Sequence, residues 1–498
     1  MKITLRAVVW FVLCMATVAP LAACGSAVDA SRAYSRGAIN SGMIAPADSV
    51  RIHEYLNHYE QRFPEPTDQA VGLDLRLGNP HIPTSGGDVW IQIGLQAGRD
   101  DAEERTPVNL ALVLDVSGSM SDPQKMPYLK ESLSVFLQEL RPEDRVGIVA
   151  YNDEAFLLRP VDLVGSDPWI RSIIEMLEPG GSTNLHAGLM MGLAEVERTF
   201  DLRRNNRVIL LTDGIANVGE TDPDRIAADA LAYNQRGINV STIGLGLDMN
   251  DTLLSTLARQ GHGAYHFVDS AQEMDKVFRQ EVEGLIEKVA SDVRVLIEVY
   301  PGGSLTMITG LDGAPPARGG EVVLQDMGAG DSQVVLALLQ AQGAPHGERT
   351  LARVTLRYLD VFAQSPREAA FDLRAEFGGT SSYDPLTDIE IRRNVTIVRS
   401  AQALRTIDGL WQQGLYEQAW QEAAKMEREL REVAALAGDA QMMEDADLFR
   451  RYQLTLAGAL GYDPAAMDPT DQPEEAGGTP RWGIVSPPDP ALPTVEVR

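Results

Sequence analysis

The chain has 498 residues, 44% of them hydrophobic and 23% charged, a globular composition with length for about two to four domains. Its formal charge of −28 repels phosphate backbones, so nucleic acid is not an expected partner, and the acidity is first of all a solubility device. Cys14 and Cys24 are the only cysteines, too few for a disulfide framework, so stability must come from packing.

At the amino terminus, Lys2 and Arg6 precede an apolar run from Ala7 to Ala19 and then small residues, the pattern of an export signal over residues 1–23. The run is shorter than the about 20 apolar residues a membrane span requires. Leu21-Ala22-Ala23-Cys24 resembles the bacterial lipobox. That resemblance implies cleavage before Cys24, lipidation of its thiol and acylation of its new amine, so the mature protein is tethered to a membrane through its lipid. Multiple acyl chains suit stable anchoring, since one chain binds only marginally. Gly25 is similar to outer-membrane sorting positions, which places the expected protein in a bacterial cell envelope, at the outer membrane. Removal of Lys2 and Arg6 leaves the mature chain at about −30. Residues 24–47 are small and polar, with Gly25, Ser26, Gly37, Ser41, Gly42 and Pro46, the composition of a flexible tether.

Residues 48–66 carry Val50, Ile52, Tyr55, Leu56, Tyr59 and Phe63 near helical spacing before Pro64 and Pro66, which predicts a short packed helix. GLDLRLG and DVWIQIGLQAG, separated by turn residues, predict two antiparallel strands over 67–105. A second strand-rich block spans 289–380 and shares a sandwich or barrel-like sheet domain with them. From 385 to 462 apolar residues such as Leu404, Ile407, Leu410, Trp411 and Leu415 recur at threes and fours, predicting amphipathic helices. GLYEQAWQEA is similar to a tetratricopeptide turn, but without recurrence at about 34 residues a packed helical cap is the expectation. Residues 463–498 are proline-rich, carry seven acids against Arg481 and Arg498, and are expected to be disordered.

Between 106 and 288 strand and helix alternate, from VNLALVLDVS through RVGIVAY, RVILLTDG and INVSTIGLG to AYHFV. This rhythm predicts an α/β fold with a doubly wound, mostly parallel sheet, flanked by the β-rich domain and a C-terminal helical segment. Ligands in such folds collect beyond the carboxyl ends of the strands. There the first strand ends in Asp115-Val116-Ser117-Gly118-Ser119, a later loop offers Thr183, and RVILLTDG ends in Asp213. Spacing by two can turn three oxygen-bearing side chains one way, and Gly118 permits a tight turn.

D-x-S-x-S, the later threonine and T-D-G, in this order and on these elements, resemble the metal-ion-dependent adhesion site of von Willebrand factor type A domains. The resemblance covers about residues 106–288 and implies that Ser117, Ser119 and Thr183 are oxygen ligands, with Asp115 and Asp213 binding directly or through water. An oxygen-only octahedral set suits Mg2+ or Mn2+, whereas calcium takes more ligands and zinc favours nitrogen or sulfur. Two carboxylates roughly neutralise a dipositive ion, and the resemblance implies an open coordination place for an acidic side chain from a protein partner. Residues 48–380 as a whole resemble bacterial A-domain proteins with a helical prefix and a strand-rich block behind.

Enzyme motifs fail. His53-Glu54 and His58 stand five apart, about 140° around a helix instead of on one face. GLGLDM lacks the third glycine of a dinucleotide loop, and neither serine of the Asp115 loop sits in G-x-S-x-G. His186 and His266 are lone histidines without an evident nucleophile, so no catalysis is expected. Two alternatives stay open: a structural or assembly lipoprotein whose ion only stabilises the domain, and a hydrolase using metal-bound water. Composition leaves the oligomeric state undetermined.

Overall fold

The computed structural model describes residues 30–61, 63–67, 69–98, 106–123, 125–165, 169–268, 277, 288–311, 313–379 and 383–461. The expected signal peptide, Cys24 and the acidic tail lie outside the described residues. The chain enters through helices α1 (Ala30–Asn40) and α2 (Ile52–His58) and strands β1 (Val71–Leu77), β2 (His81–Pro83) and β3 (Gly86–Ala97). The α/β domain follows with β4 (Val108–Asp115), α3 (Met126–Glu139), β5 (Arg145–Tyr151), β6 (Ala155–Leu163), α4 (Trp169–Glu175) and α5 (Leu185–Arg198). It closes with β7 (Asn205–Thr212), α6 (Pro223–Asn234), β8 (Asn239–Leu245), α7 (Asp251–Gln260) and β9 (His262–Val268).

The six strands run in the order β6-β5-β4-β7-β8-β9, all parallel except β6. Residues of β4 and β7 are buried throughout, as parallel strands covered on both faces must be. Helices α3 and α4 cover one face through Leu129, Leu133, Phe136 and Ile174. Leu189, Ile226 and Leu257 of α5, α6 and α7 cover the other. The chain leaves β4 toward β5 on one side and returns to β7 on the other, so the crevice at their carboxyl ends lies where the winding reverses. The antiparallel strand β6 was not anticipated. Its Phe156, Leu157 and Leu158 are all exposed, so it lacks the alternation by which a half-buried strand is recognised.

The rest of the chain builds a β-sandwich and a helical bundle. Strands β10 (Lys288–Val299), β11 (Gly303–Ile308), β12 (Gly319–Val323), β13 (Met327–Gly328), β14 (Ser332–Gln342), β15 (Gly347–Asp360) and β16 (Ser365–Gly379) follow the α/β domain. One sheet has the order β1-β3-β14-β11 and the other β12-β10-β15-β16-β2, so strands from before and after the α/β domain interleave in one sandwich. Ile91, Ile93 and Leu95 of β3 meet Val295, Ile297 and Val354 in its core. Helices α8 (Ile389–Gln412), α9 (Tyr416–Ala437) and α10 (Ala440–Ala459) pack in sequence, with Asp388 and Asp439 accepting amide hydrogens at two N-termini. Among the described residues no helix is long and apolar enough to cross a membrane.

Residues 30–40 correct the expected tether. They form a helix whose Ala30, Ala33 and Ala38 are at most 5% exposed, wedged between β9 and α10. Tyr34 meets Phe267 edge-on at 5.3 Å, and Arg32 Nε donates to Asp445 Oδ1 at 2.6 Å. The small residues that resemble a linker line a packed seam: Gly37 faces the Phe267 ring, from which a Cβ would stand 3.4 Å, leaving room for little more. The expected helix of residues 48–66 is likewise shorter. The chain becomes extended at Tyr59, whose hydroxyl donates to Asp445, while Phe63 packs against Gly94 of β3. Arg51 ties this segment to the α/β domain by donating to Asp251 Oδ2 at 2.5 Å.

Candidate metal centre

Asp115 ends β4 and is fully buried. Its Oδ1 accepts from the Ser117 amide at 2.8 Å, and its Oδ2 accepts from Thr212 Oγ1 at 2.7 Å and Tyr151 OH at 3.3 Å. Burial pushes the Asp115 carboxyl above its usual range, against the hydrogen bonds from Ser117 and Thr212, which favour its charge; nearby Asp213 adds to the rise. Ser117 precedes a short 3-10 turn over Gly118–Ser121, and its Oγ lies 3.0 Å from Ser119 Oγ. Ser119 Oγ in turn donates to Asp213 Oδ1 at 2.7 Å, so the loop after β4 and the end of β7 meet directly.

The Thr183 loop joins them through backbone contacts. Gly118 N donates to Gly181 O at 2.9 Å, and Gly180 N donates to Val116 O at 2.8 Å. Gly118 suits this closeness, since a Cβ there would stand 3.2 Å from Gly181 O and press on that carbonyl. Thr183 is fixed by its amide, which donates to Asn217 Oδ1 at 2.8 Å. A Cβ placed on Gly214 would lie 3.6 Å from Thr183 Oγ1 and 3.8 Å from Ser119 Oγ, so both hydroxyls border one small space above Gly214. All five residues assigned from the sequence therefore gather at one place.

Their chemistry fits a hard divalent cation: oxygen donors only, two of them carboxylates, with hydroxyls from two loops facing one another across Gly214. Among the described residues no three His, Cys, Asp or Glu side chains gather to hold a metal, so hydroxyls are essential to any set here. Three further residues shape the site. Thr212 and Tyr151 orient Asp115, and both sit at carboxyl ends of strands adjacent to β4, which was their available signal. The third, Lys125, donates from Nζ to Asp213 Oδ2 at 2.7 Å. His53 and His58 occupy α2, far along the chain from these loops, and His186 pairs with Asp229 at 3.0 Å.

The model for the von Willebrand factor type A domain matches residues 109–280. This part of the chain is a von Willebrand factor type A domain. Beyond the A domain, similarity extends to the uncharacterized protein YfbK of Escherichia coli, 29% identical over 290 residues, covering 57% of this chain and 50% of that protein. The uncharacterized protein sll0103 of Synechocystis is 25% identical over 339 residues, covering 65% of this chain and 79% of its own. The chain thus spans about half the length of the first of these relatives. Among solved structures, a von Willebrand factor type A protein from Catenulispora acidiphila superposes with a TM-score of 0.52 at 18% identity, covering 78% of this chain and 86% of that one, a likeness of fold.

Proposed function

We propose that this chain is a lipid-anchored protein of the bacterial envelope that holds a protein partner through a divalent cation, Mg2+ or Mn2+, at the A-domain crest. The observation that carries the reading is the meeting of Asp115, Ser117, Ser119, Thr183 and Asp213 from three separate loops. A domains generally mediate protein–protein interaction, which supports a binding role. When bound, the ion supplies positive charge and a coordination place for an acidic side chain of the partner. The chain's own part is preorganisation: the Ser117 amide, Thr212 and Tyr151 hold the Asp115 carboxylate in place. The lipobox-like Leu21-Ala22-Ala23-Cys24 supports anchoring at the outer membrane.

An acidic partner meets an acidic chain, so long-range steering works against encounter. Screening within about 8 Å at physiological salt limits that repulsion, and short-range coordination supplies the attraction. The test is a thermal melt of the full chain with and without Mg2+ or Mn2+, followed by crosslinking on intact cells with and without chelator. Ion at a hundred times its dissociation constant adds about 2.7 kcal/mol of stability, and Asp115→Ala with Asp213→Ala should abolish the gain. A melt indifferent to both ions defeats the proposal. One observation favours a second reading, in which the ion only stabilises an assembly lipoprotein: the Asp115 and Asp213 carboxylates are wholly buried. Partner capture that survives chelation would select it.

A further inference from the structure

Asp213 is a carboxylate with no exposed side-chain surface, and a charge buried to that degree demands a counter-charge. Among the described residues its one ion pair is with Lys125, whose ammonium takes Oδ2 at 2.7 Å while Ser119 Oγ takes Oδ1. The two halves of this pair differ in freedom. The Lys125 side chain is 24% exposed, whereas that of Asp213 is fully buried and follows directly on β7, so it cannot retreat. The Lys125 backbone is also fixed independently of the ammonium: its amide donates to Asp122 O and its carbonyl accepts from Leu129 N at the start of α3, both at 2.9 Å. The head group can therefore leave without unwinding the helix.

We propose that Lys125 is the site's own competing cation. It neutralises Asp213 while no metal ion is bound, and a divalent ion must displace the ammonium to use Asp213 as a ligand. The proposal rests on the metal reading above. Two cations sharing one carboxylate repel each other, so gaining the ion means losing the ammonium contact. The displaced side chain has an outlet, because its long apolar stem can lie on the surface with the charge in water. Lys125 thereby lowers the ion affinity below what five oxygen donors would give, and spares the metal-free domain an uncompensated buried carboxylate. Occupancy then follows the surrounding ion concentration, which a permanently loaded structural site would not do.

The test is calorimetric titration of the full chain with MnCl2 and MgCl2, as wild type, Lys125→Met and Lys125→Arg, with thermal melts in chelator and in excess ion. Lys125→Met should bind Mn2+ about tenfold tighter than wild type, melt below it in chelator, and lose that deficit when ion is added. Lys125→Arg, which keeps the charge, should stay near wild type. Equal or weaker Mn2+ binding by Lys125→Met overturns the proposal, because Lys125 would then be indifferent to the ion or helpful to it. If Lys125→Met folds only with Mn2+ present, that dependence is itself the expected result. If it folds in neither condition, Lys125→Gln decides by the same comparison of affinities. Binding by Lys125→Met but not by wild type supports displacement in its strongest form, whereas no ion on either protein overturns both this proposal and the metal reading.

Discussion

Replacing Thr212 by valine tests whether the Asp115 anion is held by its neighbours. The Thr212 hydroxyl donates to Asp115 Oδ2 at 2.7 Å where both residues are fully buried, and valine keeps the shape while removing the donor. Asp115 would retain the Ser117 amide at 2.8 Å and the longer Tyr151 contact at 3.3 Å. A hydrogen bond to a charged acceptor contributes about 1.5–3 kcal/mol, and the variant forfeits about that much from the anion. Without metal the loss is partly escaped, because a carboxyl already raised by burial can take up a proton. A metal ion requires the anion, so the loss falls on its binding, about 10- to 150-fold in affinity. Calorimetry with Mn2+ in buffers of different ionisation enthalpy reports both affinity and protons released. The expectation is weaker binding with more protons released than in wild type. Unchanged affinity and an unchanged proton count would refute the reasoning.

The raised Asp115 carboxyl also sets a pH dependence. Without metal it contributes stability that is present below the ordinary value of 3.8 and lost as pH rises through the raised value; an ion acts in the opposite sense by binding the charged form. Mg2+ affinity should therefore decline on acidification before an ordinary aspartate begins to protonate, as titrations at several pH values would reveal. Gly118→Val should weaken Mn2+ binding by pushing the Gly181 carbonyl away, which the same calorimetry measures. Asp445→Ala removes the acceptor of both Arg32 and Tyr59 and should cost about 3 kcal/mol, the low end for a broken buried pair because Glu444 still reaches Arg32. Chemical denaturation checks it. Gly37→Leu should overpack the seam between α1 and Phe267 by about 1–3 kcal/mol and hasten proteolytic release of the first helix.

The α/β fold was legible because Leu110–Leu114 of β4 and Val208–Leu211 of β7 are unbroken apolar runs that lead into polar residues at the same pole. The five oxygen-bearing residues could be read for a related reason: each lies at a strand end or in a loop, where Asp, Ser and Thr are not needed for the core. Thr212 and Tyr151 escaped notice because a hydroxyl at a strand end also fits ordinary burial, and only the sheet register brings both to Asp115. Lys125 was hidden among surface-like residues at a helix start. The misread tether shows the limit of composition: alanine, serine and glycine mark a loose chain or a tightly packed one, and α1 is the second kind because Phe267 and Asp445 lie far along the sequence.

The interleaved sandwich has a mechanical consequence. The A domain departs from the end of β3 and returns at the start of β10, strands that belong to opposite sheets. Were the proposed partner to pull on the crest along these strands, the load would run across hydrogen bonds that lie perpendicular to them. A load of that direction would shear rows of bonds in two sheets at once, from β1 and β14 on one side and β12 and β15 on the other, instead of unzipping one row rung by rung. Under the proposed function, tension on the A domain would be shared by two sheets instead of falling on one edge.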